Sequence, residues 1–196
     1  MNKFRIGVLV SGGGTNLQAI IDAVESGKLE NCEIATVVSG KPGVYALERA
    51  LIHGIPSVVI SRKDFENLSS FDSAICEHME RENVDLIVMA GFLSIIGEKL
   101  LSKFAGRIIN IHPSLLPKFG GKGFYGLKVH EEVIKSGEKT TGATVHFVNE
   151  GVDEGEIILQ KSVDVRSDDT PESLQRRVME ECEWKILVEA IKRIGK

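Results

Sequence analysis

Short apolar runs rich in Val and Ile alternate with stretches of helical periodicity, and this alternation limits the folds open to the chain more than any other feature. Ile6–Val10, Ile34–Val38, Val58–Ile60, Leu86–Ala90 and Ile108–Ile111 read as strands. Between the first two, Leu17, Ile20, Ile21 and Val24 recur at helical spacing, and Ser26-Gly27 supplies a stop. Val44–Ile52 and Phe71–Met79 repeat the arrangement, closed by Gly54 and by a charged stretch. Continuous apolar strands separated by helices predict an α/β fold with a doubly wound, mostly parallel sheet. Its ligands should sit beyond the carboxyl ends of the strands.

After Ile111 the rhythm changes. Pro117–Gly126 is a loop rich in Gly and Lys, and Gly142–Val148 alternates so that Val145 and Phe147 share one face. Glu156–Lys161 returns after the turn Asn149–Gly155, which predicts an antiparallel carboxy-terminal extension. Thr170-Pro171 is a cap and first residue for a carboxy-terminal helix. At 196 residues, 42% of them hydrophobic, the chain is expected to form one domain, 1–196.

Charge and cysteine usage narrow the partners. A net charge of −4, with Lys and Arg scattered, gives no basic surface for nucleic acid. Cys32, Cys76 and Cys182 lack the paired spacing of a zinc or redox site and read as reduced thiols of a cytoplasmic protein. Ile6–Val10 is too short for a signal-peptide core or a bilayer span, so no membrane partner is expected.

Three places could carry chemistry. Ser11-Gly12-Gly13-Gly14-Thr15-Asn16 joins the first strand to the first helix, so bare backbone N–H groups and the helix dipole favour an anion such as phosphate. A side chain at Gly14 is expected to block those N–H groups. A ligand-free glycine turn fits the same residues. Leu17 and the Ser39-Gly40-Lys41 ending of the second strand do not fit a dinucleotide site, and no Lys-Ser or Lys-Thr pair completes a P-loop.

Asn110 and His112, two apart at the end of the fifth strand and followed by Pro113, should leave by one face. An amide beside an imidazole suits an oxyanion growing on a carbonyl carbon, although a turn cap and a buried structural histidine fit equally. Asp153 lies in an acidic turn, where an Asp ordinarily only shapes the turn. If that turn folds over His112, its carboxylate would raise the histidine's pKa. His146 is placed opposite the apolar face of its strand, and His53, His78 and His130 in amphipathic helical stretches as solvated or partly buried imidazoles. No HxxxH or HxH pair suggests a metal, and no GxSxG elbow suggests a serine hydrolase.

Ser11-Gly-Gly-Gly-Thr-Asn-Leu-Gln18, Ala90-Gly-Phe-Leu93, Asn110-Ile-His-Pro-Ser-Leu-Leu-Pro117 and Gly142-Ala-Thr-Val-His-Phe-Val148, in this order, resemble the folate-dependent formyltransferases. The first of these and the short chain point to the glycinamide ribonucleotide (phosphoribosylglycinamide) branch. The resemblance runs from about Ile6 to Gln160 and implies a Rossmann-like formyltransferase fold. It implies Asn110, His112 and Asp153 as the catalytic set, acting without metal. Gly13, Gly14, Thr15, Asn16 and Glu183 would hold the ribonucleotide. Leu93, Ser94, Ile95, Ile96, Asn110, Asn149, Glu150, Gly151, Val152 and Asp153 would receive the folate. Pro113, Ser114, Gly120 and Gly121 would shape the floor near the incoming amine.

The implied reaction moves a formyl group from the cosubstrate 10-formyltetrahydrofolate to the glycinamide amine in purine synthesis, by a monomer or homodimer. Leu68 and Ser94 replace arginines that in the family often hold the folate's glutamate tail. Glu183-Trp184 and Leu187-Val188 depart from the family's carboxy-terminal helix, as if shifted by one residue. A formyltetrahydrofolate hydrolase or a sugar-nucleotide formyltransferase would use the same three residues. The hydrolases carry a preceding regulatory domain, expected absent from a chain whose first strand starts at Ile6, and a methionyl-tRNA formyltransferase would need a basic carboxy-terminal domain. A non-catalytic folate or nucleotide binding module would require the Asn, His and Asp to be broken, and all three are present.

Overall fold

The computed structural model describes residues 3–196. In chain order the elements are β1 (Phe4–Val10), α1 (Thr15–Glu25), β2 (Cys32–Ser39), α2 (Tyr45–Ile52), β3 (Ser57–Val59), a 3-10 turn (Arg62–Asp64), α3 (Leu68–Arg81), β4 (Leu86–Met89), α4 (Glu98–Lys103) and β5 (Ile108–His112). Then come α5 (Leu127–Lys135), β6 (Thr140–Phe147), β7 (Ile157–Asp164), α6 (Pro171–Val178), a π-helical segment (Met179–Glu183) and α7 (Trp184–Ile194). The seven strands follow the order β3-β2-β1-β4-β5-β6-β7. The chain forms two compact units, one running to Ile109 and including Gly195–Lys196, the other Asn110–Ile194.

In the amino-terminal unit β1 pairs in parallel with β2 and with β4, and β2 with β3. Ile6–Val10 are all buried, as expected for a strand covered on both faces. α1 turns Leu17, Ile20, Ile21 and Ala23 into the core while Val24 stays half-buried. It ends at Ser26 with Gly27 at φ +75°, the left-handed stop its sequence predicted. α3 begins earlier than its apolar period suggests, because the Asn67 side chain accepts a hydrogen bond from the Ser70 N–H and caps it. α4 was not legible: its six residues contribute a single fully buried side chain, Leu100, too few to show a period.

In the carboxy-terminal unit β6 and β7 pair antiparallel, and Thr170 caps α6 through a capping box with Ser173. The expected alternation of β6 is not found. Thr141 to His146 are buried without interruption, so this strand too is covered on both faces. The carboxy-terminal helix is interrupted by the π segment, whose wider turn shifts the register of everything beyond it. No described helix is long and apolar enough to cross a membrane.

Candidate active site

In the carboxy-terminal unit, the end of β5, strand β6 and the turn before β7 bring four polar side chains together. Asn110 and His112 point the same way from β5, and Asp153 meets both: its Oδ1 accepts from Asn110 Nδ2 at 3.3 Å, and its Oδ2 lies 3.4 Å from His112 Nδ1. Asp153 sits at φ +60°, a left-handed conformation that Asp tolerates better than most residues, and Oδ2 also accepts from the Gly121 N–H at 3.0 Å.

The fourth member is His146, which its place in the sequence had set aside. Its Nδ1 lies 2.8 Å from the Phe147 carbonyl, which can only accept, so Nδ1 carries the proton. Its Nε2 lies 3.2 Å from Asn110 Nδ2 and 3.6 Å from Asp153 Oδ1. The error came from reading β6 as one-sided. A histidine in a strand buried on both faces needs a partner, and this one finds it in the cluster.

His112 is 4% exposed, and its Nε2 donates to the Phe119 carbonyl at 2.8 Å, leaving Nδ1 to face Asp153. Burial pushes the imidazole's pKa down. The Asp153 charge and the Phe119 carbonyl push it up, and His146 pushes it down again. The net result lies below the ordinary histidine value. The carboxylate acts in the expected direction, but desolvation outweighs it. For Asp153, burial raises the pKa but is outweighed by His146, His112 and the Gly121 N–H, and the group stays below its usual range as an anion.

The segment after His112 is held from behind. The Thr144 hydroxyl donates to the Ser114 carbonyl at 2.7 Å and accepts from the Leu116 N–H at 3.1 Å, while Gln160 donates to the Leu116 carbonyl at 3.0 Å. His130 of α5 is completely buried, beyond the solvated or partly buried setting its helical stretch suggested. Neither of its ring nitrogens has a hydrogen-bond partner among the described residues. Burial first, and His112 second, lower its pKa to about 4.

The glycine loop belongs to the amino-terminal unit. Gly14 caps α1 at φ +72°, and its carbonyl accepts the first helical bond from Gln18. A Cβ at Gly14 would lie 2.7 Å from Ala46 Cβ. A side chain there would therefore strike α2 and not, as expected, screen the loop's N–H groups. Nothing lies within 4 Å of a Cβ at Gly12 or Gly13. The Leu93 N–H donates to Ser11 Oγ at 3.1 Å and ties the segment after β4 to this loop. In that segment Leu93 and Ile95 are 51% and 65% exposed, two apolar side chains facing solvent, while Ile96 is buried.

Of the turn residues, Val152 is exposed, and Gly151 donates to the Asn149 side chain. Glu183 is buried inside the π segment. No group of three or more His, Cys, Asp or Glu that could hold a metal occurs among the described residues.

Known proteins are similar to this chain over nearly its whole length. A phosphoribosylglycinamide formyltransferase of Haemophilus influenzae is 45% identical over 90% of this chain and 81% of its own length. The trifunctional purine biosynthetic protein adenosine-3 of Drosophila melanogaster is 44% identical over 92% of this chain, which spans only 13% of that protein. Among solved structures, glycinamide ribonucleotide transformylase 1 of Symbiobacterium toebii superposes with a TM-score of 0.92 at 41% identity, covering 99% of this chain and 88% of that one. With the formyl transferase family model matching residues 4–191, this chain belongs to the formyl transferase family.

Proposed function

We propose that this chain transfers the formyl group of 10-formyltetrahydrofolate to the amine of N1-(5-phospho-D-ribosyl)glycinamide in purine synthesis, releasing the N-formyl product and tetrahydrofolate. The observation that carries the reading is the buried cluster of Asn110, His112 and Asp153 in a member of the formyl transferase family. The likeness to the Haemophilus influenzae enzyme over most of both chains supports the choice of acceptor.

The glycinamide nitrogen attacks the formyl carbon, the bond from that carbon to N10 of the folate breaks, and the amine's proton is passed to N10. In between, negative charge gathers on the formyl oxygen. A growing oxyanion beside His112 raises the imidazole's affinity for a proton, and Asp153 is in place to hold the imidazolium. Presenting a ring N–H to substrate requires Nε2 to leave the Phe119 carbonyl. Presenting the Asn110 amide requires His146 or Asp153 to release it. His146 thus acts as a positioning residue for Asn110.

The phosphate is assigned to the N–H groups of Gly13, Gly14 and Thr15, with Asn16 and Glu183 beside the ribonucleotide. The folate is assigned to Leu93–Ile96 and the turn Asn149–Asp153, where exposed Leu93, Ile95 and Val152 offer apolar surface. Residues 1–196 are taken as one formyltransferase domain, acting as a monomer or homodimer and without metal. The family match across 4–191 supports the single domain. The three free, buried cysteines suit a reducing cytoplasm.

Purified protein assayed with 10-formyltetrahydrofolate, with and without glycinamide ribonucleotide, tests the reading. Turnover is expected only when both are present. Equal release of tetrahydrofolate without the amine would instead make the chain a hydrolase.

A further inference from the structure

The glycine loop is shaped from behind by α2. The Gly12 carbonyl accepts from the Ala46 N–H at 3.2 Å, and the Gly13 carbonyl accepts from Arg49 Nε at 2.9 Å. In a planar trans peptide the C=O of one residue and the N–H of the next point in opposite directions. Engaging the Gly12 and Gly13 carbonyls on the α2 side therefore turns the N–H groups of Gly13 and Gly14 to the other side.

Of the two contacts only one depends on a side chain. Glycines have no intrinsic preference for this peptide orientation, so an unheld loop would sample many others. Arg49 is itself held: its Nη1 donates to Gln18 Oε1 at 2.8 Å, and its guanidinium stacks 4.8 Å from the centre of the Tyr45 ring. α2 also leaves no room for the loop to move back, since Ala46 and the Arg49 Cδ already lie against Gly14.

We propose that Arg49 is a positioning residue for the ribonucleotide's phosphate, acting through the Gly13 carbonyl to aim the Gly14 N–H. This rests on the assignment of the phosphate to the glycine loop made above. The guanidinium's charge is secondary and its Nε–H donor is the working part.

Three variants separate donor from charge. In Arg49→Gln the amide nitrogen occupies the same place along the side chain as Nε and is a neutral donor. Arg49→Lys keeps the charge but has a methylene there, and Arg49→Met has neither. Binding of glycinamide ribonucleotide, of the same compound without its phosphate, and of the folate would be measured by calorimetry on the intact protein. Arg49→Lys and Arg49→Met are expected to lose about tenfold in affinity for the ribonucleotide, the scale of one hydrogen bond. Arg49→Gln should stay near the native value, and the phosphate-free compound and the folate should bind all four proteins alike.

Native-like binding by Arg49→Lys with loss in Arg49→Gln would overturn the proposal in favour of direct charge attraction. Equal losses for the phosphate-free compound would overturn it in favour of a general packing role. If the native protein itself makes no distinction between the two compounds, the assignment of the phosphate to this loop falls, and the role of Arg49 falls with it.

Discussion

The glycine loop of the amino-terminal unit and the polar cluster of the carboxy-terminal unit, the two places proposed to meet negative charge, are built from opposite materials. The loop offers backbone N–H groups at an exposed helix terminus, with glycines that leave space on the open side and Ala46 pressed against the back. Its donors do not titrate. The cluster uses titratable side chains almost removed from water, in which His112 and Asp153 set each other's charge and burial shifts both. The loop should therefore fail mechanically, through shape and strain, and the cluster electrostatically, through loss of one charge.

The largest effect is expected at Asp153. Asn suits the same left-handed turn and has nearly the same size, so Asp153→Asn should melt close to the native protein. It removes one of the two influences that raise the His112 pKa, which should fall further. Formyl transfer should slow by about a hundredfold or more, with smaller changes in substrate binding. Titrating His112 by NMR in both proteins, beside their rates, checks this. An unmoved pKa with near-native turnover would reduce Asp153 to a turn residue.

The loop is tested by a pair of glycines. Gly14→Ala combines a positive φ with a clash against α2, and should lower stability by about 2 kcal/mol and weaken the ribonucleotide at least tenfold. Gly13→Ala meets open space and should stay within about 0.5 kcal/mol of native in thermal melts. Equal losses at both positions would mean that α2 is not what shapes the loop.

A third, smaller effect separates burial from catalysis. The His130 pKa lies at about 4, below its ordinary 6.5, because burial disfavours the charged ring and His112 adds to this. Between those values the unfolded chain takes up a proton that the folded chain refuses. Stability thus falls as pH drops from about 6.5 to about 4 and gains nothing further from this group below that, a contribution on the order of 3 kcal/mol. His130→Met should hold its urea midpoint better across this window and lose nothing at pH 7, where the neutral ring leaves two buried nitrogens unbonded. Parallel decline in both proteins would place the acid sensitivity elsewhere. The smallest effect is none at all: exhaustive chelation should leave the transfer rate unchanged, and a rate abolished by chelator and restored by a divalent cation would replace this account of the cluster.

Strands β1 to β5, helices α1 to α3 and the cap at Thr170 were legible because each follows from contacts within a few residues: an apolar period, a glycine stop, a hydroxyl ahead of a proline. The pairing of Asn110 with His112 was legible too, since two residues in one strand share a face. Its link to Asp153 was legible only as a condition on how the acidic turn folds, which a family resemblance turned into an expectation. His146, His130 and Arg49 were misread or passed over, all for one reason. Burial on both faces of β6, the closed surroundings of α5 and the approach of α2 to the Gly13 carbonyl are set by segments distant along the chain.

Local sequence by itself determined strands β1 to β5, helices α1 to α3 and which turn is rich in glycine. Only the tertiary structure decided which histidines are dry and which side of each loop peptide faces outward. It also decided that burial outweighs the Asp153 charge in setting the His112 pKa. These are consequences of desolvation and of hydrogen bonds between remote residues, and neither has any trace in a local period.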